Sequence, residues 1–219
     1  MMPGISSAVG TLSTTSTISG NPHCTLVLGG ARSGKSRYAE QSLQRAAQTG
    51  QTGGRQLVYL ATAQCGDAEM QARIDHHRQQ RGPDWLLHEE PLALAQALQQ
   101  HNQPHKLILV DCLTLWLSNL LLCDGAPASD AMPEHALAPW PLPARYLQER
   151  AALLQQLPQM QADVMLVSNE VGMGVVPPYP LARCFVDEAG RLHQALAAQC
   201  AQVVWVVAGL PQYLKGNPS

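Results

Sequence analysis

Eight consecutive residues, Gly29-Gly30-Ala31-Arg32-Ser33-Gly34-Lys35-Ser36, combine backbone freedom, one amine and one hydroxyl at a spacing suited to gripping a polyphosphate. They satisfy G-x-x-x-x-G-K-[ST], and the flanks have the required character: an apolar, strand-like run (Thr25–Leu28) before and a helix-forming stretch (Arg37–Leu43) after. The glycines let the backbone curl so that successive N–H groups converge on phosphate oxygens, and the following helix adds the positive end of its dipole. In that reading Lys35 reaches the β- and γ-phosphates and Ser36 ligates Mg²⁺. A glycine-rich turn that matches by chance is the alternative, and the strand–loop–helix order argues against it.

A second component of such a site is an acid at the end of another strand. Leu107-Ile108-Leu109-Val110-Asp111 supplies four apolar residues and then a carboxylate, the Walker B pattern that holds Mg²⁺. A strand-end Asp also serves as a helix N-cap, here for Thr114-Leu115-Trp116-Leu117. The presence of the phosphate loop favours the metal-holding role.

Adjacent histidines, His76 and His77, lie in a helix-forming stretch that runs from Asp67 to Arg78, with Asp67 as its candidate N-cap. Helical spacing puts Met70, Ile74 and His77 on one apolar face and Glu69, Arg73, His76 and Gln80 on a polar one, so His76 is the exposed member. Two readings stay open at this level. One is a packed imidazole beside a solvated one; the other is nucleophilic catalysis, in which a neutral imidazole attacks phosphorus and passes the group onward through a labile N–P bond.

These groups need elements to position them. Apolar, β-branched runs recur at Thr25–Leu28, Leu57–Leu60, Leu107–Val110, Val164–Val167 and Val203–Val207, each separated by enough chain for a helix. Because the runs are apolar throughout rather than alternating, they predict strands covered on both faces, as in a parallel sheet. The expected fold is therefore α/β: a P-loop NTPase-like three-layer α/β/α sandwich with a mainly parallel sheet. The 219 residues fit one such domain over residues 23–219, preceded by a Ser/Thr-rich disordered tail over residues 1–22. Five prolines between Cys123 and Ala144 predict an inserted loop near residues 124–144, and Pro158 should bend or end the helix expected over Arg145–Gln161.

Ser168-Asn169-Glu170-Val171-Gly172-Met173-Gly174 follows the fourth run, where α/β sheets place ligands. Asn169 there either caps a glycine-rich connection or, with Glu170, faces the crevice. Trp85, Trp116 and Trp205 read as core residues.

Lys+Arg 14 against Asp+Glu 16 leaves no basic footprint for nucleic acid, and no apolar run approaches the ~20 residues of a membrane span. Six scattered cysteines with no C-x-x-C pair predict free thiols in a reducing, cytoplasmic setting rather than a metal cluster or disulfide framework.

Several blocks together resemble the bifunctional adenosylcobinamide kinase / adenosylcobinamide-phosphate guanylyltransferase family of cobalamin biosynthesis. They are the phosphate loop through Arg37, Tyr59 to Gln64, Asp67 to Arg78, Asp84-Trp85, Val110 to Trp116, Val167 to Pro177 and Ala189 to Gln194, spread from about Thr25 to Gly216. The resemblance implies a homotrimer that phosphorylates adenosylcobinamide with ATP or GTP. It then transfers GMP from GTP to adenosylcobinamide phosphate, releasing pyrophosphate, with His76 carrying the GMP covalently. The nucleotide contacts it implies are the phosphate loop, Ala61, Thr62, Ala63, His77, Arg78, Gln79, Gln80, Glu89 and Asp111. A GTP-binding regulatory switch, which leaves His76 idle, and a guanylyltransferase lacking the kinase step are the alternatives that the motifs leave open.

Overall fold

The computed structural model describes residues 21–49, 54–63, 84–123 and 140–217. Its centre is a seven-stranded sheet in the order β3-β2-β4-β5-β1-β6-β7, with every pair parallel except β6 with β7. The strands are β1 (Asn21–Gly29), β2 (Gln56–Ala61), β3 (Trp85–Glu89), β4 (Lys106–Asp111), β5 (Asp163–Asn169), β6 (Cys200–Val207) and β7 (Leu210–Lys215). The helices are α1 (Lys35–Thr49), α2 (Leu94–Gln100), α3 (Leu113–Leu121), α4 (Ala144–Gln156) and α5 (Pro180–Gln199).

Strand residues alternate between two cores, one on each face of the sheet. Ile108 and Val110 of β4 and Val164 and Leu166 of β5 join Leu98 of α2, Trp116 and Leu117 of α3, Leu153 of α4 and Leu192 of α5 on one face. Leu107, Leu109, Met165 and Val167 meet Ala39 and Leu43 of α1 on the other. Burial on both faces is why these strands read as continuous apolar runs, and it makes the expected three-layer sandwich. In α1 the spacing of Lys35, Ala39 and Leu43 at i, i+4 and i+8 turns one stripe to the sheet. Helix α4 ends at Gln156 and tightens into a 3₁₀ turn over Leu157–Gln159, because Pro158 lacks the N–H that would continue it.

The structure adds to and corrects the expectations. β1 begins at Asn21, so the last two residues assigned to the 1–22 tail belong to the sheet. Strands β3 and β7 were not anticipated. β3 is a half-exposed edge strand, and β7 carries Pro211, which a sheet tolerates at its edge. Cys24 and Cys200 are joined as a disulfide, with Cα atoms 4.7 Å apart, whereas Cys112, Cys123 and Cys184 are thiols. The pair is 176 residues apart in sequence and is brought together because β1 and β6 are neighbours. Trp116 is fully buried as expected; Trp85 and Trp205 are half-buried. Among the described residues no helix is long and apolar enough to cross a membrane. Most of the proline-rich stretch, and residues 64–83 with their histidine pair, lie outside the described residues.

Candidate functional site

The chain passes from β1 to β2 on one side and returns to β6 on the other, so the carboxyl end of β1 is the point where strand order reverses. Open α/β sheets bind ligands at such points, and the loop from Gly29 to Ser36 lies there.

The loop is packed tightly at both ends. A Cβ on Gly29 would come within 2.5 Å of Ser33 Oγ and 2.6 Å of the Val206 carbonyl oxygen. Gly34 has φ +94°, a conformation that side chains disfavour, and a Cβ there would lie 3.1 Å from Gly209 Cα. The Gly209 N–H donates to Ser33 O at 2.8 Å, so the β6–β7 turn braces the loop from behind. The backbone closes through Ser33 N–H to Gly30 O at 3.2 Å and enters α1 with Tyr38 N–H to Gly34 O at 2.9 Å. We expect Gly29→Ala to destabilise the fold by about 1–3 kcal/mol, since the backbone of β6 must move to admit the methyl. At Gly30 a Cβ meets nothing within 4 Å. Thermal melts of the two alanine variants test this: equal melting temperatures would contradict the packing argument.

Lys35 is buried and its ammonium donates to Gly30 O at 3.1 Å. Burial lowers its pKa from the ordinary 10.5, and the negative charge of Asp111 opposes that shift. An arriving polyphosphate would favour the charged amine in the same way. Ser36 occupies the first turn of α1, and Ala31 and Arg32 are exposed on the loop.

Asp111 ends β4, two strands from β1, with Tyr59 Oη donating to its Oδ2 at 3.0 Å. Helix α3 starts from Cys112, and that N-cap position makes no side-chain cap bond, so Asp111 serves the strand edge rather than capping the helix. The alternation that puts Leu107 and Leu109 on the α1 face carries Asp111 to the same face as Lys35.

A rail of hydrogen bonds fixes the strand ends relative to one another. Thr62 Oγ1 donates to Cys112 O at 2.7 Å and accepts from Cys112 N–H at 2.9 Å, tying β2 to β4. Cys112 Sγ and Thr114 Oγ1 share a bond at 3.0 Å, and Asn169 Nδ2 donates to the same Thr114 oxygen at 3.0 Å, reaching β5. Glu170 N–H donates to Gly29 O at 3.0 Å, which closes the rail on β1. Sequence reasoning missed Cys112 and Thr114 as positioning residues; their position directly after a strand-end acid was the available signal.

Of the remaining residues implied by the resemblance, Ala61, Thr62, Ala63 and Glu89 form a second group. Ala61 pairs with both Asp111 and Glu89, so these three stand side by side at one edge, with Thr62 and Ala63 following. The end of β3 is four strands from the loop, roughly 19 Å at the usual interstrand spacing. The Thr62 hydroxyl both donates to and accepts from the Cys112 backbone. His76, His77, Arg78, Gln79 and Gln80 lie outside the described residues.

A family model described as cobinamide kinase / cobinamide phosphate guanyltransferase matches residues 25–214, the span from β1 to β7. The chain belongs to that family. The bifunctional adenosylcobalamin biosynthesis protein CobP of Pseudomonas aeruginosa is 49% identical over 193 residues, 88% of this chain and 98% of that protein. The CobU proteins of the same description from Escherichia coli and Salmonella typhimurium are each 39% identical over 190 residues, 87% of this chain and 98% of theirs. Membership in this family makes the chain an enzyme, and the fold brings the loop, Lys35 and Asp111 to one edge of the sheet.

Beneath that edge, His193 of α5 is buried, with Nε2 2.7 Å from Ser168 Oγ and Nδ1 3.7 Å from Glu170 Oε2. Glu170 Oε1 accepts from Gly172 N–H at 2.7 Å, so its carboxylate is committed to the loop after β5 and to His193. Burial lowers the His193 pKa from 6.5, with Glu170 pulling the other way. A histidine that resists protonation when folded binds fewer protons than in the unfolded chain. Its contribution to stability is therefore complete above pH 6.5 and is lost as pH falls from there toward the lowered folded value. Within that window the wild type should lose up to ~1.4 kcal/mol per pH unit more than His193→Gln. Melts between pH 5 and 8 check this, and parallel curves for the two proteins would contradict it.

Proposed function

We propose that the enzyme phosphorylates the hydroxyl of adenosylcobinamide with ATP or GTP and then transfers GMP from GTP to adenosylcobinamide phosphate, giving adenosylcobinamide-GDP and pyrophosphate. The observation that carries the reading is the phosphate loop with buried Lys35 and same-face Asp111, in a chain whose family match runs from β1 to β7.

In the first reaction the substrate hydroxyl oxygen bonds to the γ-phosphorus as the bond to the β-phosphate oxygen breaks. The loop amides and Lys35 hold the β- and γ-oxygens and offset the charge that builds there. In the second, an imidazole nitrogen of His76 attacks the α-phosphorus of GTP and pyrophosphate leaves. The phosphate oxygen of adenosylcobinamide phosphate then displaces the histidine. The phosphate loop with Lys35, and Ala61, Thr62, Ala63, His77, Arg78, Gln79, Gln80, Glu89 and Asp111, are the proposed contacts to the nucleotide, and the loop holds its phosphates in both reactions.

Ser36 and Asp111 offer a hydroxyl and a carboxylate, the hard oxygen donors that Mg²⁺ takes alongside substrate phosphates. Asp111 Oδ1 accepts no hydrogen bond from the described residues, which leaves a donor for the ion. Bound there, Mg²⁺ would neutralise charge on the transferred phosphoryl group. The reading also takes the chain to be a cytoplasmic homotrimer, a single catalytic domain from Asn21 onward with an insert near 124–144.

Incubation with adenosylcobinamide, ATP and GTP, followed by mass spectrometry of the corrinoids, tests the assignment. The expected products are adenosylcobinamide phosphate and then adenosylcobinamide-GDP. Nucleotide hydrolysis with an unmodified corrinoid would point to a regulatory switch. Guanylylation of supplied adenosylcobinamide phosphate without phosphorylation of adenosylcobinamide would remove the kinase half.

A further inference from the structure

Strand β5 lies between the loop strand β1 and the Asp111 strand β4, and its last residue, Asn169, pairs with Gly29. Met165 and Val167 pack on the α1 face, so alternation puts Asn169 on that face as well, shared with Asp111 and Lys35. Its amide is held at one end by Nδ2–H to Thr114 Oγ1 at 3.0 Å. The other end, Oδ1, is buried with no hydrogen-bond donor. An orphaned acceptor is costly and calls for an explanation, and an acceptor locked in place between a phosphate loop and a metal-holding acid has one. A phosphate at neutral pH offers only acceptors and cannot satisfy Oδ1. An alcohol can, because its proton must point away from the phosphorus that its oxygen attacks.

We propose that Asn169 is a catalytic residue of the phosphorylation step, accepting a hydrogen bond through Oδ1 from the substrate hydroxyl and thereby aiming that oxygen at the γ-phosphorus. This rests on the kinase half of the proposed function. The oxygen forms its bond to phosphorus while the bond from phosphorus to the β-phosphate oxygen breaks, and the nucleoside diphosphate departs with that electron pair. An amide oxygen is too weak a base to keep the proton, which passes to the new phosphate ester and on to solvent. Asn169 supplies orientation, which suits a loose transition state that demands little proton abstraction. The Thr114 and Cys112 links make the amide rigid, so its aim is set before substrate arrives. Glu170, the next residue, accepts from Gly172 N–H through Oε1 and has Oε2 3.7 Å from His193 Nδ1.

Three variants decide the matter. Asn169→Asp keeps an acceptor oxygen, Asn169→Ala removes it, and Asn169→Ser retains a shorter acceptor should the alanine variant fail to fold. Phosphorylation of adenosylcobinamide by ATP is measured as kcat and as KM for each substrate, alongside the Kd for ATP. The expected order of kcat/KM for adenosylcobinamide is Asn, then Asp, then Ser, then Ala. Alanine should lose about 10²-fold, the scale of one lost transition-state hydrogen bond, while the Kd for ATP moves less than threefold. If the amide instead served the γ-phosphate through its N–H, aspartate would repel the anion. Asp would then be the slowest variant and would bind ATP most weakly, which overturns the proposal. Near wild-type kcat/KM in the alanine variant also overturns it. A wild-type enzyme that binds ATP but leaves adenosylcobinamide unphosphorylated indicts the kinase assignment itself, a different outcome from either.

Discussion

Replacing His76 by alanine is expected to eliminate guanylyl transfer and covalent capture of GMP while phosphorylation of adenosylcobinamide stays measurable. The imidazole is the group that makes and breaks a bond to the α-phosphorus, and loss of a covalent nucleophile typically costs on the order of 10⁴-fold or more. The phosphorylation step calls on the loop, Lys35 and Asp111, which stand at the ends of β1 and β4 and at the start of α1. Helical spacing supports the choice between the two histidines, because His76 shares the polar face with Arg73 whereas His77 falls on the apolar one. The nucleophile must be neutral, so GMP loading should fall as pH drops through the titration of that imidazole, and phosphorylation should follow a different curve. Assays of both reactions on purified His76→Ala check the claim, and undiminished labelling in that variant would overturn it.

Lys35→Ala should slow both reactions by roughly 10²–10³-fold, the usual cost of removing one contact that stabilises transition-state charge. Lys35 is buried at the start of α1, on the Asp111 side of the sheet, with its ammonium already turned onto the loop at Gly30 O. Little rearrangement is needed to bring it onto a phosphate oxygen. Rate constants for phosphorylation and for GMP transfer, measured at saturating nucleotide, provide the test. Near-normal values for both would mean that the loop does not hold the reacting nucleotide.

The features legible in the sequence were those whose chemistry is local. The phosphate loop announces itself because eight adjacent residues must curl around one ligand, and Asp111 does so because a carboxylate ending an apolar run has few reasons to be there. Five of the seven strands were visible as apolar runs because both faces of the sheet are covered. The two missed strands lack that signature: β3 exposes Leu86, and β7 exposes Leu210 and Leu214 at the edge of the sheet. Long-range pairings were invisible for the opposite reason. Nothing near Cys24 marks Cys200 as its neighbour, and nothing near Thr62 marks the Cys112 backbone as the partner of its hydroxyl. The same holds for the buried, donorless Oδ1 of Asn169, a property of three strand ends taken together. Asn169 and Glu170, adjacent in sequence, take different partners in the fold, Thr114 for one and Gly172 for the other, because consecutive residues leaving a strand point in different directions.

The central claim, that GMP passes through a histidine of this chain, is tested most directly by a pulse and chase with α-³²P-GTP. After a short incubation with the labelled nucleotide, the denatured protein should carry label that survives base and is lost in acid, as an N–P bond requires. Addition of adenosylcobinamide phosphate with excess unlabelled GTP should then move that label from protein to corrinoid. Labelled corrinoid formed with no label ever on the protein, or protein-bound label that does not chase, would contradict the account.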